Sequence, residues 1–151
     1  MTATVPPSFV EKVNTRYLET LLGYNARRAS LVIIDEFFER MAVYGLRTVD
    51  FSVLSLITHN PGITSRQLCA TLAIQAPNLV SIVNDIAAKD LIVRLPHPMD
   101  GRAVGLHPTP AGIKLMRAAE KTAAQLELDV TTRLSDEERK TLKTLLRKIY
   151  K

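Results

Sequence analysis

Asp100 and Arg102 stand two residues apart in the run HPMDGRAVGLHPTPAG (97–112), where Pro98, Pro108, Pro110, Gly101, Gly105 and Gly112 interrupt a chain that otherwise keeps helical spacing. A guanidinium is a rigid fork of donors that fits phosphate oxygens and is drawn to the negative potential of a narrow groove in a duplex. A carboxylate two residues away can orient that fork or a nearby backbone group. The pair suits anion recognition, and the prolines and glycines would stiffen and turn the segment that presents it.

Bond-making chemistry has no comparable signature. The sequence contains no G-x-S-x-G, no phosphate-binding P-loop and no dinucleotide fingerprint, and acid pairs such as Asp35 and Glu36 belong to a solvated helix face. An enzyme is not expected, nor any catalytic residue or cofactor. A single cysteine, Cys69, excludes an internal disulfide and a thiolate-rich metal site. His59, His97 and His107 lack the i, i+3 or i+4 spacing that puts two ligands on one helix face, so no metal site is expected. Cys69 lies beside Leu68 and Leu72 in RQLCATL and reads as a buried, inert thiol.

The 151 residues, 46% hydrophobic and 23% charged, are ordinary for a globular domain. No run approaches the roughly 20 apolar residues of a membrane span, and MTATVPPSFVEKVNTRYLET lacks the basic-then-apolar layout of a secretory signal. The expected setting is the cytoplasm, with no membrane partner. The net charge of +5 is unevenly placed: six basic against five acidic residues in 1–47, four against four in 48–108, and ten against six in 109–151. Charge alone is thus a weak pointer to nucleic acid.

Three segments have to position the Asp-Arg pair. From Glu11 to Tyr44, apolar residues recur at helical spacing (Val13, Tyr17, Leu21, then Leu31, Ile34, Phe38, Met41), predicting one long helix, or two with a bend at Gly23. TVDFSVLSLITHNPG predicts a short helix stopped by Asn60, Pro61 and Gly62. Thr64 and Gln67 have capping-box spacing at the head of a second. A third follows with Leu79, Ile82, Val83 and Ile86 on one face and Pro77 in its first turn. LIVRL and AVGLH predict two short strands about a turn. Thr109 and Pro110 open a long helix, and Ser135 with Glu138 cap a last one carrying Leu142, Leu145, Leu146 and Ile149.

Two short helices joined by a turn and followed by a hairpin are the order of a winged helix-turn-helix, whose second helix can enter a major groove. The stretch Val49 to Gly112 resembles the MarR family of bacterial transcription regulators. The strongest match is the wing signature D-x-R, six residues, then T-x-x-G, here Asp100, Arg102, Thr109 and Gly112. The expected fold is mainly α: a winged helix-turn-helix with long N- and C-terminal dimerisation helices and one β-hairpin wing. The expected domains are an N-terminal dimerisation helix (1–47), a DNA-binding lobe (48–108) and C-terminal dimerisation helices (109–151).

The resemblance implies that Arg102 reaches a minor groove or a phosphate and that Asp100 orients Arg102 or a nearby backbone group. Relatives commonly carry basic residues on the outer face of the reading helix, whereas this chain has Ala76, Ser81 and Asp85. Readout must then come from short contacts, Gln75 and Asn78 to adenine edges, Val80 or Pro77 to thymine methyls, with Ser81 beside them. Phosphate anchoring would fall to Thr64, Ser65, Arg66, Lys89 and Arg94. Asp90 stands where relatives close this helix with glycine, and aspartate tolerates the left-handed conformation.

A winged helix needs only about 60–80 residues, so the flanking helices require their own partner surface. In the family such segments interlock two chains, placing two reading heads on a pseudopalindromic operator of double-stranded DNA. Val13, Tyr17, Leu126, Val130, Leu142, Leu145 and Ile149 are the expected interface. A small effector, with aromatic acids as the class the family suggests, would meet Tyr24, Arg27, Arg28, Phe37 and Tyr44. The expected function is a dimeric, sequence-specific DNA-binding regulator, a repressor released by such a ligand. The alternative is a winged-helix protein acting through protein–protein contacts, which the neutral charge of 48–108 would suit.

Overall fold

In the computed structural model, which describes residues 9–151, helices dominate and one small sheet interrupts them. The chain divides into two compact units, Met1–Val32 and Ile33–Lys151. In the first, α1 (Arg16–Glu19) is a single turn, and α2 (Leu22–Met41) begins after a break at Thr20 and Leu21. Of the two expectations for this segment the structure has two helices, but the break falls at Thr20 and Leu21 and not at Gly23, which lies inside α2, and the first helix begins only at Arg16. Side chains stabilise the break: Thr20 Oγ1 donates to the Tyr17 carbonyl, and Asn25 Nδ2 donates to the carbonyls of Glu19 and Leu21 at 2.8 and 2.9 Å. Such local bonds compete with the helical ladder.

The second unit continues α2 into a 3-10 turn (Ala42–Tyr44) that ends on Gly45 in the left-handed conformation. Then follow α3 (Thr48–His59), β1 (Ile63–Thr64), α4 (Ser65–Leu72), α5 (Ala76–Ala88), β2 (Ile92–His97), β3 (Asp100–Pro108), α6 (Pro110–Val130) and α7 (Asp136–Tyr150). The strands form an antiparallel sheet in the order β1-β3-β2, with Arg94 opposite Leu106 and Thr64 opposite Gly105.

Capping chemistry sets most boundaries. Thr64 accepts from the Gln67 backbone N–H while the Gln67 side chain accepts from the Thr64 backbone N–H, and Ser135 and Glu138 repeat the arrangement at α7. Those bonds from Ser135 hold the Glu138 carboxyl below its ordinary range. Thr109 caps α6 by accepting from Gly112 N–H at 3.0 Å, and its hydroxyl donates to the Asp90 carbonyl at 2.7 Å. Asp90 itself takes φ +59°, the left-handed conformation anticipated from its place after α5.

One core draws on all three sequence segments. Met41 and Leu46 meet Val53, Leu54 and Ile57 of α3, Leu68 of α4, the Leu79, Ile82, Val83, Ile86 face of α5, Leu91, Ile92 and Leu106 of the sheet region, and Met116 and Ala119 of α6. Full burial of a large aliphatic side chain contributes about 1.5–3 kcal/mol, so Met116, with Ala119 beside it, anchors the head of α6 to the lobe it follows. Cys69 is half-buried against this core. Leu126 is 1% exposed within the single chain, which corrects its assignment to an interface between chains. Val130 is half-buried, whereas Leu142, Leu145 and Ile149 of α7 are exposed. In the first unit, Val13 and Tyr17 are 75% and 76% exposed.

Candidate nucleic-acid interface

The buried stripe of α5 fixes which residues it shows to solvent. With Leu79, Ile82, Val83 and Ile86 inside, Gln75, Ala76, Pro77, Asn78, Val80, Ser81 and Asn84 are all exposed, Val80 at 56%. α4 packs against α5 through the turn Ala73–Gln75, where Ala73 adopts φ +53°, and the pair forms the helix-turn-helix. All the base-reading candidates lie on the free side of one helix.

The wing is the β2–β3 hairpin. Its tip is exposed, and the Asp100 carboxylate accepts the Arg102 backbone N–H at 3.0 Å. Asp100 thus orders the main chain at the turn, which is the backbone alternative of its two expected partners, and not the guanidinium. The Arg102 side chain is exposed beyond that turn.

The phosphate candidates divide. Ser65 and Arg66 are exposed at the head of α4, but the Thr64 hydroxyl is occupied by its cap. Arg94 donates from its terminal guanidinium nitrogen to Asn84 Oδ1 at 2.7 Å, which ties the wing base to α5. Lys89 Nζ donates to the Gly45 carbonyl at 3.0 Å, an intramolecular partner that sequence spacing does not reveal.

Beside Lys89 lies a cleft of about 420 Å³ lined by Leu46, Arg47, Asp50, Asp85, Ile86 and Leu91 among others. Asp50, 5% exposed, accepts from Arg47 Nε at 2.8 Å, from its terminal nitrogen at 2.9 Å and from its backbone N–H at 3.1 Å. Burial pushes the Asp50 carboxyl up, but the Arg47 bonds outweigh it and leave the group below its ordinary value. Arg47 also lies 3.8 Å from Asp85 of α5. A carboxylate three residues into a helix and the arginine before it are a detectable signal that the sequence reading passed over.

Two effector candidates have structural partners in the second unit. Phe37 packs edge-on against Phe51, with centroids 5.3 Å apart, and the Tyr44 hydroxyl lies 2.8 Å from Thr122 Oγ1. Tyr24, Arg27 and Arg28 lie on α2 in the first unit, the two arginines exposed. Among the described residues, no cluster of His, Cys, Asp or Glu is placed to hold a metal ion, and no single helix is long and apolar enough to cross a membrane.

A helix pair backed by a three-stranded sheet, with the second helix and the hairpin both exposed, defines a winged helix-turn-helix. Residues 44–103 match the MarR family profile. A protein of Thauera aromatica, assigned as a transcriptional regulatory protein for the hcr operon, is 31% identical over 131 residues, covering 86% of this chain and 79% of that one. Among solved structures, the transcriptional repressor CouR bound to a 23-mer DNA duplex superposes with a TM-score of 0.87 at 31% identity, covering 93% of this chain and all of that one. Apo MarR of E. coli superposes with a TM-score of 0.74 at 25% identity, covering 85% and 96%. The chain belongs to the MarR family of transcriptional regulators. These relatives are transcriptional regulators and not enzymes, CouR among them solved with DNA, and this chain is a transcriptional regulator of the same family.

Proposed function

We propose that this regulator reads a pseudopalindromic operator as a homodimer, with α5 in the major groove and Arg102 in the adjacent minor groove or on its phosphates. The observation that carries this reading is the joint exposure of the α5 outer face and the wing tip on one buried scaffold. Gln75 and Asn78 would hydrogen-bond base edges, Pro77 and Val80 would meet thymine methyls, and Ser81, Ser65, Arg66 and Arg94 would hold the backbone. The similarity to CouR, a repressor in a complex with DNA, favours repression. With DNA as its partner, the protein acts in the cytoplasm.

The apolar residues left uncovered at both ends of the chain support a second copy as the covering surface: Val13 and Tyr17 near one end, Leu142, Leu145 and Ile149 near the other. On this reading 1–47 and 109–151 are the dimerisation segments and 48–108 is the reading lobe, although the core crosses these limits. Tyr24 with Arg27 and Arg28, three and four residues on, share one side of α2 and present an aromatic ring beside two cations. That chemistry suits a small aromatic acid as releasing ligand, which must bind the DNA-free geometry better than the DNA-bound one.

Two variants separate the parts of this reading. Arg102→Ala should weaken binding to operator and altered operators alike, by roughly ten-fold, whereas Asn78→Ala should weaken it mainly where an adenine contact is lost. Fluorescence anisotropy on single-base operator variants measures both. Equal affinity of Arg102→Ala and wild type on every duplex would remove the wing from the mechanism.

A further inference from the structure

The reading helix carries no cation of its own: from Ala76 to Ala88, α5 has no Lys or Arg and one acid, Asp85. Asp85 lies 3.8 Å from Arg47, and Lys89, just past the helix, is bonded to the Gly45 carbonyl. A guanidinium nevertheless arrives at the exposed side of α5, because Arg94 of β2 donates to Asn84 Oδ1 at 2.7 Å. Asn84 is three residues on from Ser81 and seven from Pro77, on the side opposite the buried stripe. A guanidinium has donors only, so the amide oxygen of Asn84 must face it and both hydrogens of Nδ2 are directed elsewhere. Two sets of donors, one ionised, are thereby joined at the seam between reading helix and wing base.

We propose that Asn84 and Arg94 form one phosphate clip, in which Asn84 positions the Arg94 guanidinium and donates its own Nδ2–H to the same backbone phosphate. The fold thus supplies from the wing strand the cation that the reading helix lacks. The clip rests on the DNA-binding reading above. A phosphate at this seam would be gripped at the border of the major groove entered by α5 and the minor groove met by the wing, which fixes the register of both. A brace that merely ties β2 to α5 would need the Asn84 oxygen but not its amide hydrogens.

Asn84→Asp distinguishes the two. The carboxylate keeps, and charge-assists, the bond from Arg94, yet it removes the Nδ2 donors and sets a negative charge against the phosphate. Thermal unfolding of Asn84→Asp should match or exceed wild type while operator affinity falls roughly ten-fold or more. Arg94→Ala should lower the slope of log affinity against log salt by about one per reading head. Wild-type affinity in Asn84→Asp, or an unchanged salt slope in Arg94→Ala, would overturn the clip while wild-type binding still upheld the DNA-binding reading. The slope test holds even if an Asn84 variant folds poorly. Absence of salt-dependent binding by the wild type would instead remove the DNA-binding reading, and the clip with it.

Discussion

Gly112 shows how a single position couples wing to core. A Cβ built on it would lie 2.1 Å from the Leu91 carbonyl oxygen, a backbone atom that cannot swing aside. Thr109 completes the joint, holding Gly112 N–H with one side of its hydroxyl and the Asp90 carbonyl with the other. The T-x-x-G of the wing signature is therefore a packing requirement: α6 must pass directly over the chain as it leaves α5. Gly112→Ala should destabilise the protein by about 1–3 kcal/mol, the usual range for overpacking, in denaturant unfolding. A midpoint equal to wild type would mean that the joint tolerates a methyl group. At the same scale, the Asp100 role was half legible, since D-x-R spacing predicts an interaction but not whether the guanidinium or the backbone N–H receives it.

Among elements, those with caps and periodic stripes were legible in the sequence and those made by long-range pairing were not. Thr64 with Gln67, Thr109 with Pro110, and Ser135 with Glu138 begin their helices where side-chain chemistry requires. β1 escaped notice because two residues, Ile63 and Thr64, form it only by pairing with Leu106 and Gly105, some forty positions on. The Arg94–Asn84 and Lys89–Gly45 bonds were hidden for the same reason, as was the Tyr44–Thr122 contact. The start of α3 tests the electrostatic part. Asp50 has a lowered value in the fold, so its contribution is fully present above the ordinary aspartate value of 3.8 and is lost as pH falls through the lower folded value. Asp50→Asn should therefore cost about 1 kcal/mol near neutrality, reduced by solvent screening at exposed Arg47. In thermal melts the gap to wild type should close in acid, and a gap constant with pH would contradict the role given to this pair.

At the scale of the whole molecule, the exposed apolar residues of α7 are the feature that one chain leaves unexplained. Its capped first turn and its Lys143–Glu127 ion pair at 2.7 Å tie α7 back to α6, yet Leu142, Leu145 and Ile149 remain open. If they meet a second copy, Leu145→Asp should convert a dimer to monomer in sedimentation experiments and lower operator affinity with it. A wild type that sediments as monomer at micromolar concentration would contradict this. Composition gives little guidance on a DNA partner, because residues 48–108 are neutral overall and the cations proposed to meet DNA, Arg66, Arg94 and Arg102, are distinguished by placement and not by number.

The measurement that bears most directly on the central claim is wild-type affinity for DNA from beside its own gene against a shuffled duplex of equal length, across a salt series. Sequence-specific regulation predicts roughly thousand-fold or greater preference for the first duplex, with log affinity falling linearly as log salt rises. Weak, equal binding to both duplexes would contradict it, and would point instead to a winged helix that works through protein contacts.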